Sequence, residues 1–192
     1  MTTPDTPEGE LWIIRHGETE WSRDGLHTSH TELELTSEGE KVARELAGRL
    51  DGVRFDLVLS SPRERARRTA ELEGFSDIEL AEDLTEWDYG DYEGLTTATI
   101  RETVPGWTVW SHPCPGGETT EQVSRRLDRV VERVRDHGGR VLVFSHGHAS
   151  RALAARWLGL PADGGRQFKL DTATISVLGY ERESPAVARW NS

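Results

Sequence analysis

The chain has 192 residues, 35% of them hydrophobic and 30% charged, with seven tryptophans. That length suits one domain with a sizeable core, and the composition is too apolar and aromatic for a disordered chain. A formal net charge of −11 argues against a nucleic-acid-binding surface and makes any local cluster of arginines informative. The lone cysteine, Cys114, excludes an internal disulfide and suggests a reducing compartment. Met1 to Glu10 is polar and acidic and does not read as a signal peptide. No apolar run approaches the roughly 20 residues needed to span a bilayer. A cytoplasmic protein with neither membrane nor nucleic-acid partners is the expectation.

A single domain over residues 1–192 is expected, with 1–9 as a flexible terminus. Leu11 to Ile14 reads as a short buried strand that stops at Arg15, His16 and Gly17. In α/β folds ligands bind beyond the carboxyl ends of strands, so this corner places a cation and an imidazole where chemistry is usually found. Gly17 is read as removing a side chain that would hold a ligand off the backbone. Glu20 to Glu34, with His27 and His30, reads as an irregular loop over the site. Thr36 and Ser37 open a helix, and Val42, Leu46, Ala47 and Leu50 carry it at helical spacing to about Asp51. Phe55 to Ser60 is a second strand, Ser61-Pro62 opens a helix to about Glu73, and Ile78 to Leu80 is a weak third strand.

Leu84 to Gly94 has acids, aromatics and two glycines without a clean period, and reads as a structured loop. Thr96 to Val104 is expected to be helical, and Pro113 to Gly117 a turn. Val123, Leu127, Val130, Val131 and Val134 predict a long amphipathic helix over Thr119 to His137, stopped by Gly138-Gly139. Val141 to Phe144 is a strand ending in Ser145-His146-Gly147-His148, which repeats the design of the first strand, and a helix follows to about Leu158. Gln167 to Leu170, Thr174 to Tyr180 and Ala186 to Trp190 read as late strands, with antiparallel pairing open. The alternation predicts an α/β fold with helices on both faces of the sheet.

Phosphoryl transfer through a histidine needs a neutral imidazole, fixed cations for the phosphoryl oxygens, a proton donor for the leaving oxygen and a means of activating water. Arg15-His16-Gly17-Glu18-Thr19 resembles the Arg-His-Gly signature of the histidine phosphatase superfamily, the phosphoglycerate mutase-like family. Ser61-Pro62-Arg63-Glu64-Arg65-Ala66 through Thr69-Ala70 is similar to a second family segment, with Arg63 in its usual leucine position. Leu84 to Gly94 is similar to the family's acid/base loop, and Phe144-Ser145-His146-Gly147 to its second histidine motif. The resemblance covers most of residues 11–150 and implies a three-layer αβα sandwich with a mostly parallel central sheet. It implies His16 as nucleophile, His146 as a protonated partner touching the phosphate, and Arg15 and Arg65 as phosphate clamps. Ser22, Thr28 and Gly147 complete that phosphate site. The residues alone do not choose among Glu86, Asp88, Asp91 and Glu93 for the proton shuttle; the resemblance chooses Glu86.

Arg67 and Arg68 read instead as a solvated helix face, through Glu64–Arg68 and Arg67–Glu71 pairs. His146-Gly147-His148 also offers a zinc reading, since i and i+2 face the same way in a strand. Its neighbours supply no further anionic ligand, so neither metal nor other cofactor is expected. The basic residues of the family's mutases fall at Thr97 and at Ser111-His112, which favours hydrolysis. The resemblance is then to acid phosphatases and sugar bisphosphatases, with Arg63, Tyr89 and His148 as specificity residues. It implies a metal-independent phosphomonoesterase acting on small phosphorylated metabolites, sugar phosphates foremost. A phosphoglycerate mutase and a non-catalytic phospho-ligand binding module are the alternatives. The partner is a small phosphate ester, with a homodimer left open.

Overall fold

The computed structural model describes residues 9–192; the terminus expected to fray lies, but for residue 9, outside the described residues. A six-stranded sheet runs in the order β3-β2-β4-β1-β5-β6. Its strands are β1 (Glu10–Arg15), β2 (Leu57–Ser60), β3 (Glu79–Leu80), β4 (Arg140–Ser145), β5 (Ile175–Glu181) and β6 (Ser184–Arg189). The first four pair in parallel, and β5 and β6 add an antiparallel edge. Six α-helices accompany them: α1 (Glu20–Asp24), α2 (Ser37–Leu50), α3 (Glu64–Leu72), α4 (Thr97–Thr103), α5 (Thr120–His137) and α6 (Gly147–Trp157).

Both faces of the sheet are covered, which is why the four middle residues of β1 and of β4 are all apolar rather than alternately so. From β1 and β4, Trp12, Ile14, Leu142 and Phe144 pack with Leu46 and Leu50 of α2 and with Ala66 and Ala70 of α3. Their neighbours Leu11, Ile13, Val141 and Val143 pack on the other face with Val123, Leu127 and Val134 of α5 and Leu153 and Trp157 of α6. Each such buried side chain contributes roughly 1.5–3 kcal/mol relative to exposure. The architecture is the three-layer α/β sandwich expected.

Two expectations fail locally. Glu20 to Asp24 is a short helix, closed by a capping box between Thr19 and Ser22. It buries no residue, so no apolar period announced it. Gln167 to Leu170 is not a strand: a 3₁₀ turn occupies Ala162–Gln167, and Leu170 lies in irregular chain. Its carbonyls serve side chains instead of a ladder, with Leu170 accepting from Arg15 Nη1 at 2.7 Å and Lys169 from Trp190 Nε1.

Candidate active site

The parallel pairing of β1 with β4 sets Arg15 opposite Ser145, so His16 and His146 leave adjacent strands side by side. Their ring centroids are 5.2 Å apart. His16 Nδ1 donates to its neighbour's carbonyl, Gly17 O, at 2.7 Å. A carbonyl only accepts, so Nδ1 carries the proton and Nε2 keeps its lone pair. Burial, then the charges of Arg65 and Arg15, hold the His16 pKa well below 6.5. His146 is held well below 6.5 as well, by burial, then Arg65, His16, Arg126 and Arg15. The expectation of a protonated His146 therefore meets an environment that favours the neutral ring. One hydrogen bond explains how the first corner is held: Gly17 N–H donates to Thr69 Oγ1 at 2.9 Å. Gly17 also meets a packing demand that was not expected. A Cβ there would lie 2.8 Å from the Gly39 carbonyl, so glycine permits close contact with α2.

Arg65 is buried and Arg15 half-buried, and each has a buried Nε–H without a partner. His146 Nδ1 is likewise a buried polar atom without a partner, as are Arg63 Nε and Ser150 Oγ. Buried donors are normally satisfied, so a group of orphans marks a place for an acceptor. Burial draws both arginine pKa values down against the opposing charge of Glu86, and a guanidinium stays charged through such a shift. The remaining donors of Arg65 are already committed, to the carbonyls of Thr31, Thr28 and Ser29 at 3.1–3.3 Å. Arg65 thus also ties down the loop that passes over the site. Glu93 ties the same loop from the other side, through the Ser29 and Thr31 amides.

Glu86 lies at the start of α6. Its carboxylate accepts from the backbone amides of Trp87, Ala149 and His148 at 2.9, 2.8 and 3.1 Å. Amides at a helix N-terminus are suited to a negative group. The loop bearing Glu86 is braced by residues that motif reasoning missed. Arg126 donates to Glu118 at 2.7 Å and to the carbonyls of Asp83 and Thr85 at 2.8 Å. Glu118 in turn accepts from the Asp88 amide at 3.0 Å. The signal was present: Arg126 is a charge on the buried face of α5, among Val123, Leu127 and Val130. Gly90 and Gly117 allow the two segments to touch, since a Cβ at either would lie within 2.2 Å of the opposite backbone.

A cavity of about 200 Å³ opens here, lined by Arg15, His16, Glu86, Tyr89, Gly147 and His148 among others. Ser22 and Thr28 also line it, although the Ser22 hydroxyl is engaged in the α1 cap and the Thr28 hydroxyl donates to Leu26 O. A Cβ at Gly147 would lie in ordinary contact, 3.4 Å, with the Arg15 guanidinium, which places this glycine against that cation. Arg65 and His146 have no exposed surface and lie behind this lining. Tyr89 Oη lies 2.6 Å from His148 Nδ1. Arg63 points elsewhere: its guanidinium meets His30 Nδ1 at 2.9 Å and Glu32 at 3.2 Å, so it clamps the overlying loop. Arg68 pairs with Glu40 of α2 at 2.9 Å rather than with Glu64. Arg151 is the cation overlooked in the sequence. It lines the cavity, stacked 4.8 Å over the Trp110 ring and held by the Gly165 carbonyl at 3.2 Å.

The strand premise of the zinc reading does not hold, because β4 ends at Ser145 and His148 belongs to α6. The two rings diverge, His146 towards Ser61 and His148 towards Tyr89. Among the described residues no three His, Cys, Asp or Glu side chains gather as a metal site would need. Nor, among them, is any helix long and apolar enough to cross a membrane.

Comparison with known proteins agrees with this geometry. An acid phosphatase of Mycobacterium tuberculosis is 48% identical over 176 residues, covering 89% of this chain and 86% of its own. Sedoheptulose 1,7-bisphosphatase of Saccharomyces cerevisiae is 37% identical over 182 residues, covering 77% and 67%. A solved structure of a Mycobacterium tuberculosis open reading frame product superimposes with a TM-score of 0.92 at 43% identity, covering 95% and 97%. The family model of the histidine phosphatase superfamily (branch 1) matches residues 11–192. The chain belongs to the histidine phosphatase superfamily, branch 1.

Proposed function

We propose that this phosphatase hydrolyses small phosphate monoesters, sugar phosphates foremost, through a phosphohistidine and without a metal. The observation that carries the reading is a His16 that keeps its Nε2 lone pair, 5.2 Å from the His146 ring and under the charges of Arg65 and Arg15, with partnerless nitrogens on all three of those neighbours. In the first step His16 Nε2 forms a bond to phosphorus as the ester P–O bond breaks, and Glu86, which enters the cycle as the carboxylic acid, gives its proton to the leaving alkoxide. In the second step Glu86 takes a proton from water, which attacks the phosphohistidine and releases phosphate. The developing charge falls on Arg15, Arg65 and the His146 N–H. Gly17 O holds the Nδ1 proton throughout, which stabilises the cationic phosphoimidazole.

The small cavity and the sugar bisphosphatase among the relatives support a metabolite substrate. Arg151 supplies a second cation in that cavity, suited to an anionic group distal to the reacting phosphate. Phosphate release from a panel of sugar mono- and bisphosphates in excess chelator tests both points. Turnover is expected to survive chelation. Arg151→Ala is expected to raise KM for bisphosphates about 10-fold or more, and to alter KM for monophosphates little. Loss of turnover on chelation, restored by a divalent ion, would overturn metal independence.

A further inference from the structure

Of the two ring nitrogens of His146 only Nδ1 lacks a partner, and the way Nε2 is bonded decides what Nδ1 presents. His146 Nε2 lies 2.7 Å from Ser61 Oγ. That hydroxyl also accepts from the Arg63 backbone amide at 3.3 Å. An amide N–H only donates, so it occupies a lone pair of Oγ and leaves the hydroxyl proton to be placed. Among the described residues the acceptor for that proton is His146 Nε2. Ser61 is itself fixed: it is fully buried, and its amide donates to Phe144 O of β4 at 2.9 Å.

We propose that Ser61 is a positioning residue that holds His146 as the neutral Nδ1–H tautomer, making it an uncharged hydrogen-bond donor to the phosphoryl group. The alternatives leave something unpaired. With the proton on Nε2, the Ser61 hydroxyl proton loses its acceptor and an Nδ1 lone pair faces the phosphoryl oxygens. With protons on both nitrogens, a buried cation stands against Arg15 and Arg65, and Ser61 again has no acceptor. The neutral Nδ1–H form satisfies Ser61 and adds one donor to the partnerless Nε–H groups of the two arginines. It also spares His16 an adjacent positive charge, 5.2 Å away between ring centroids.

The inference rests on the proposed phosphate site, but its test reads the ligand-free enzyme and can fail while turnover stands. In nitrogen NMR of ¹⁵N-histidine-labelled protein between about pH 6 and 7, His146 is expected to show a protonated Nδ1 and a bare Nε2. A signal from the doubly protonated ring, or a proton on Nε2, overturns the proposal. Ser61→Ala is expected to mix the tautomers and to weaken inhibition by inorganic phosphate about 10-fold. Ser61→Thr, which keeps the hydroxyl, is expected to restore both. An unchanged tautomer and unchanged phosphate affinity in folded Ser61→Ala would also overturn it. Should Ser61→Ala fail to fold, the wild-type spectrum decides alone.

Discussion

The corner after β1 and the corner after β4 are written alike, a strand followed by His-Gly, yet they present opposite chemistry. His16 turns its Nδ1–H onto a carbonyl and shows the site a lone pair. His146 turns its Nε2 onto a hydroxyl and carries its partnerless Nδ1 on the other side of the ring. Both rings lie in the same electrostatic neighbourhood, and burial holds both pKa values below the ordinary 6.5. On the proposed assignment, what separates nucleophile from donor is the partner of the distal nitrogen, Gly17 in one case and Ser61 in the other. The lesson is that a repeated motif fixes position, while a single hydrogen bond fixes role.

The comparison is tested most harshly by removing each ring in turn. His16→Ala is expected to lower kcat with p-nitrophenyl phosphate on the order of 10⁴-fold or more, since no other group can accept the phosphoryl. His146→Ala is expected to cost less, about 10²–10³-fold, the usual loss for one donor to a developing oxyanion. His146→Asn keeps an N–H and is expected to recover part of that loss. If Asn is no better than Ala, His146 does not act as a simple donor. Should the two alanine variants be equally impaired, the division of roles between the corners fails.

The smallest effect is on stability. Buried neutral, His16 and His146 bind protons less readily in the folded than in the unfolded chain, whose histidines titrate near 6.5. The unfolded state thus takes up more protons as pH falls below about 6.5, and stability is lost from there downwards. Denaturant midpoints measured from neutral pH into the acid range are expected to fall in wild type and to fall less steeply in His16→Ala. A rise in stability on acidification would contradict the neutral assignment.

Much of the scaffold was legible because it rests on local pattern. The apolar runs of β1 and β4 and the helical spacing of α5 announced themselves. Four separated motifs singled out His16, Arg65, Glu86 and His146, of which the fold sets the two imidazoles side by side and His16 and Glu86 on one cavity. The bracing was not legible, because it is made of contacts distant in sequence. Thr69 holds Gly17, Glu93 holds the loop at Ser29, and Arg126 holds the carbonyls beside Glu86. Gln167 to Leu170 misled because its apolar residues serve packing while its carbonyls serve Arg15 and Trp190. Arg63 looked like a ligand-binding cation, but Glu32 and His30 lie within its reach.

The central claim is that the β1 corner, and not its twin, takes up the phosphoryl group. Rapid mixing with a phosphate monoester, a base quench that preserves phosphohistidine, and mass-spectrometric mapping of the peptides test it directly. Phosphate on His16, absent in His16→Ala and still formed slowly in His146→Ala, is the expected result. Phosphate on His146, or turnover that never passes through a labelled enzyme, would contradict the account.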